Sequence, residues 1–92
     1  MKVFKFGGAS VKDAQGVKNV LKVLEKTGNG NKFIVVSAMG KTTNALEVVT
    51  KDYLSTSSIP ASLEPVKTYH QEIMTRLFPN KNATVIAKVD DL

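Results

Sequence analysis

The sequence predicts an α/β fold that opens with a strand, a helix and a second strand parallel to the first. Three observations carry that prediction. Lys2–Phe6 is short, rich in Val and Phe, and stops at Gly7-Gly8, as a strand running into a sharp turn does. Val17, Val20, Leu21 and Leu24 then recur at helical spacing. Lys32–Val36 follows as a second run of strand formers, and its continuous Phe-Ile-Val-Val core reads as a strand buried on both faces. Strand, helix and strand within about 35 residues make a βαβ unit, whose crossover is right-handed.

The limits of each element follow from local signals. Ser10 stands three residues before Asp13, a pattern like a capping box, so the first helix is expected to start near Ser10. Gly28 ends it, and Gly28-Asn29-Gly30-Asn31 is a loop. After the turn Ser37-Ala38-Met39-Gly40, Asn44 with Glu47 is expected to cap a second helix carrying Leu46, Val49, Tyr53 and Leu54. Ser55–Ser58 and Pro60 break that helix. Ser62 opens a third, with Val66, Tyr69, His70, Ile73 and Leu77 on one stripe, and Pro79 stops it. Val85, Val89 and Leu92 begin a fourth helical pattern. Two strands are little sheet for an α/β domain, so a piece of a larger domain is expected.

Composition narrows the chemistry. With 92 residues and no cysteine, the chain has no disulfide, thiolate metal site or cysteine nucleophile, and its single histidine makes a histidine-based metal site poor. The apolar run Ile34-Val35-Val36 falls far short of the ~20 residues that cross a bilayer, and no secretion signal is present, so a cytoplasmic, membrane-free protein is expected. The net charge of +5 rests on lysines spread from Lys2 to Lys88 with Arg76 as the one arginine. Nucleic-acid readers instead cluster arginine and aromatic residues on one face, so the lysines read as solvated and no nucleic acid is expected.

In α/β proteins ligands gather at the carboxyl ends of parallel strands. The first such turn here is Lys5-Phe6-Gly7-Gly8-Ala9-Ser10. Paired glycines bare backbone N–H groups to an anion, and Lys5 adds a mobile cation, a set that suits a phosphate. The same residues also serve as an ordinary tight turn. The second turn, Ser37 to Thr43, ends in Gly40-Lys41-Thr42 like a P-loop, but the first glycine of that motif would fall at Val35 inside the strand, so the P-loop reading fails. What remains is a hydroxyl-rich turn in which Ser37, Thr42, Thr43 and Asn44 either hold a polar small molecule or cap the helix. Lys41 is read as solvated rather than phosphate-bound, Met39 as a core filler or a specificity element, and His70 as a packed structural histidine.

Lys-Phe-Gly-Gly-x-Ser followed by Val-Val-Ser-Ala-x-Gly-x-Thr-Thr-Asn resembles the opening of the aspartokinases, members of the amino-acid kinase family. The resemblance is strong from Lys2 through Leu46. It implies the N-terminal βαβ portion of a three-layer α/β/α fold, with residues 1–92 an incomplete kinase domain. It further implies transfer of the ATP γ-phosphoryl group, with Mg2+, to the side-chain carboxylate of L-aspartate, in lysine, threonine and methionine biosynthesis. By the same resemblance Lys5 is catalytic and, with Gly7, Gly8 and Ser10, binds the ATP phosphates, while Ser37 and Thr43 hold aspartate. Ala9 departs from the family's usual threonine, and magnesium ligands are not among these residues. The piece alone is expected to be inactive and, with sheet edges bare, to self-associate. A bifunctional aspartokinase–homoserine dehydrogenase shares the motifs, and a free-standing binding module is the non-enzymatic alternative.

Overall fold

The computed structural model describes residues 1–79 and 84–92. Strand β1 (Lys2–Phe6) pairs in parallel with β2 (Lys32–Val36), Lys2 opposite Lys32 and Phe6 opposite Val36, and helix α1 (Ala14–Lys26) makes the crossover. Helices α2 (Thr42–Thr56), α3 (Leu63–Leu77) and α4 (Thr84–Asp90) follow. The α/β class and both strands lie where the sequence places them.

The starts of the first two helices do not. Helix α1 begins at Ala14, capped by Asp13, whose carboxylate accepts from the Gly16 N–H at 2.7 Å. Ser10 is held back because its N–H donates to Gly7 O at 3.0 Å and that of Val11 to Gly8 O at 3.2 Å, which keeps this stretch in successive tight turns. The positive end of the helix therefore sits one turn beyond Ser10. Asp13→Ala removes that cap, and about 1 kcal/mol of stability should go with it, read as a lower urea midpoint. An unchanged midpoint would reassign the helix start.

Helix α2 also begins earlier than Asn44, at Thr42, with Lys41 in the capping position and no side-chain cap. Gly40, at φ +57°, reverses the chain early enough to put Thr43 and Asn44 inside the first turn. Ser62 precedes α3 as expected but has helical backbone angles, so its hydroxyl does not cap; Oγ is buried without a partner among the described residues.

The larger correction concerns β2. Phe33, Ile34, Val35 and Val36 are 44–56% exposed, where burial on both faces was expected. No third strand flanks β2 in the two-stranded sheet. The core of the described residues is small: Val11, Ala14 and Ile73 are its buried apolar side chains, with Thr42 the buried polar one, placed where α3 meets α1 and α2. The solvent-accessible surface is 7121 Å², roughly 1,900 Å² beyond the about 5,200 Å² of a folded monomer of this mass. The molecule measures 50 × 29 × 19 Å.

Candidate functional site

The parallel ladder brings both strand exits to one end of the sheet. Its last bond runs from Ser37 N–H to Phe6 O at 2.9 Å, so the two turns leave side by side. They then touch. Gly40 N–H donates to Gly8 O at 3.1 Å, and a Cβ placed on Gly8 would lie 2.5 Å from Gly40 O and 3.2 Å from Ala38 O. Only glycine permits that approach, because the obstructing atoms are backbone and cannot rotate away.

A third element locks the pair. Tyr69 of α3 donates its hydroxyl to Lys12 O, in the segment leading to α1, and its ring end lies against Gly40, where a Cβ would collide with it. Positive φ and close packing thus both call for glycine at this position. His70 beside it donates from Nδ1 to Val66 O at 2.8 Å, in the tautomer that carries the proton there, and meets the Tyr69 ring edge-on at 5.4 Å. The structural histidine expected from the sequence is what this geometry gives.

The first turn leaves backbone donors free. Among the described residues, the N–H groups of Gly7, Gly8 and Ala9 donate to no backbone or side-chain acceptor. Gly7 and Ala9 are exposed, so these amides are open to water or to a ligand. Lys5 is exposed on β1 opposite Val35 and shares its sheet face with Val3, while Phe4 and Phe6 stack on the other face.

Gly7, Gly8, Ser10 and Ser37 all gather at this end, and all but half-buried Gly8 are exposed. Ser37 stands at the β2 exit and Thr43 in the first turn of α2, flanking the second turn. Thr42 is buried, its hydroxyl donating to Met39 O at 2.6 Å, which makes it a structural group. Two hollows open beside the turns. One of about 370 Å³, under α1, takes in Ser10 and Phe6; the other, about 390 Å³, lies against α3 and is lined by Gly40, Lys41, Val66 and Tyr69. Lys12 borders both. Sequence reasoning counted Lys12 among scattered lysines and Tyr69 among stripe residues, and neither carries a local signal of its place at the junction. No group of three or more His, Asp or Glu side chains suited to a metal occurs among the described residues.

Comparison with known proteins decides the family. The family model described as "Amino acid kinase family" matches residues 1–89. The chain belongs to the amino acid kinase family. It is 48% identical over 44 residues to Aspartokinase 2, chloroplastic, of Arabidopsis thaliana, a stretch that covers 48% of this chain and 8% of that protein. It is 34% identical over 70 residues to Bifunctional aspartokinase/homoserine dehydrogenase 2, chloroplastic, of the same plant, covering 75% of this chain and again 8% of the relative. This amino acid kinase chain therefore matches a small share of each relative's length. No solved structure matches it. Family membership agrees with the α/β architecture.

Proposed function

We propose that the chain is the opening part of an aspartate kinase domain, the part that presents phosphate-binding amides and substrate-binding hydroxyls to each other. The observation that carries this reading is the packing of the Gly7-Gly8 turn against the Ser37–Gly40 turn, with three unused amides at the junction. Phosphoryl transfer asks a protein mainly to align reactants and to neutralise oxygen charge, and both turns are suited to that. ATP is the phosphoryl donor. The amides of Gly7 and Gly8 would meet its phosphate oxygens, Ser10 would support them, and Lys5 would offset charge on the transferred group. Ser37 and Thr43 would orient L-aspartate so that its side-chain carboxylate attacks the γ-phosphorus while the bond to the bridging oxygen breaks and ADP leaves; no enzyme nucleophile is needed. The residues described hold no carboxylate cluster for Mg2+, so no step is routed through the metal here. A cytoplasmic setting belongs to the same proposal.

The test is a two-dimensional amide NMR titration, first with Mg-ATP and then with L-aspartate. Shifts confined to Lys5–Ser10 and then to Ser37–Thr43 are expected. Lys5→Met should weaken the nucleotide response about tenfold, the scale of one charge-assisted hydrogen bond. Dispersed resonances that ignore both ligands would sink the reading. A bifunctional parent is the second reading, since relatives of both kinds match this chain.

A further inference from the structure

The carbonyl of Gly8 is shared between the two turns. It accepts the Val11 N–H at 3.2 Å from its own turn and the Gly40 N–H at 3.1 Å from the second. The peptide bond that follows it is trans and planar, so the Ala9 N–H points the opposite way from that carbonyl. Whatever holds the Gly8 oxygen therefore also aims the Ala9 amide, which donates to no acceptor among the described residues. Of the two donors, Val11 is anchored by its own side chain, 3% exposed in the core. Gly40, at φ +57° and with no side chain, is kept in place by what packs on it.

What packs on it is the hydroxyl end of the Tyr69 ring. The same hydroxyl donates to Lys12 O, one residue beyond Val11. Tyr69 thus touches the second turn at Gly40 and the far end of the first turn at Lys12, flanking the two bonds that meet at Gly8 O. Its own footing is firm, since Ile73 stands four residues on along the same face of α3 and is buried. Every contact in this set lies between described residues.

We propose that Tyr69 is a positioning residue: by holding Gly40 against Gly8 and Lys12 in its turn, it orients the Ala9 N–H as a donor to a phosphate oxygen. The choice of ligand rests on the kinase reading above; the orientation of the amide does not. Removing the hydroxyl leaves the ring against Gly40 but takes away its tie to Lys12 O, so the Gly8–Ala9 peptide is free to tilt. A hydrogen bond weakens steeply once the angle at the donor falls below about 120°. Such a tilt therefore lowers affinity for the ligand in a chain that is still folded. A tyrosine that served only to pack α3 would affect stability and leave the amide where it is.

Amide NMR of the 92-residue chain under native conditions tests it with Tyr69→Phe. The control is Tyr53→Phe, which removes a hydroxyl from a 52% exposed residue of α2. Tyr69→Phe should shift the Ala9 and Gly40 resonances and speed hydrogen exchange at Gly40. It should also weaken the Mg-ATP response of Ala9 about fivefold, the scale of one neutral hydrogen bond. Tyr53→Phe should do none of these. A lower urea midpoint for Tyr69→Phe with Ala9 and Gly40 unmoved would overturn the proposal, and so would an undiminished Mg-ATP response. Fast exchange at Gly40 in the wild type would overturn it without any variant having to fold. If the wild type ignores Mg-ATP the kinase reading fails, and the Ala9 and Gly40 shifts without ligand still decide whether Tyr69 orients the turn.

Discussion

Gly8→Ala should destabilise the chain by about 1–3 kcal/mol, the usual range for forcing atoms into a packed site. The new methyl carbon would lie 2.5 Å from Gly40 O and 3.2 Å from Ala38 O, both main-chain atoms. Relief requires the two turns to part, which breaks the Gly40 N–H to Gly8 O bond. Gly7→Ala is the control, since a Cβ there meets nothing within 4 Å. The urea midpoint of Gly8→Ala should fall, its Gly40 amide resonance should move, and Gly7→Ala should leave both near wild type. Under the kinase reading the Gly8 variant also loses ATP response. Matching midpoints in the two variants would show that the turns do not touch.

Ile73→Ala is expected to do more damage. Ile73 is 4% exposed and is one of three buried apolar side chains among the described residues. Truncating a buried isoleucine costs about 2–5 kcal/mol. A domain of this size has only about 5–14 kcal/mol in hand, and a core this small argues for the lower end. The melting temperature should therefore drop by roughly 10 °C or more, and loss of a cooperative transition in far-UV circular dichroism is within range. A shift of only a degree or two would mean that stability resides outside the junction of α1, α2 and α3.

The sequence made strands and turn chemistry legible because those signals are local. The run Val3–Phe6 ending at two glycines, and Phe33–Val36 ending at Ser37, needed no tertiary information to place. The starts of α1 and α2 were less legible because backbone geometry in the preceding turns set them. Asp13 displaced Ser10 once the Gly7 and Gly8 carbonyls had taken the Ser10 and Val11 amides, and Gly40 let α2 start ahead of Asn44. Burial of β2 was misread for a different reason. A continuous apolar run records what a strand is suited to pack against, and the described residues put no flanking strand beside it. Of the junction, the glycines were visible in advance, while Tyr69 and Lys12 were not, since their meeting depends on where α3 docks.

That meeting bears on the order of folding. Tyr69 and Lys12 are separated by 57 positions, so their bond closes a long loop. The entropic penalty of such a closure is met before any reward arrives. The βαβ unit needs only the shorter crossover through α1, and it can pair its strands while the third helix is still unattached. The Gly8–Gly40 contact comes with the strands, and the clasp of Tyr69 on Lys12 is the longer loop left to close. A nascent chain would carry its paired strands before it carried a finished junction.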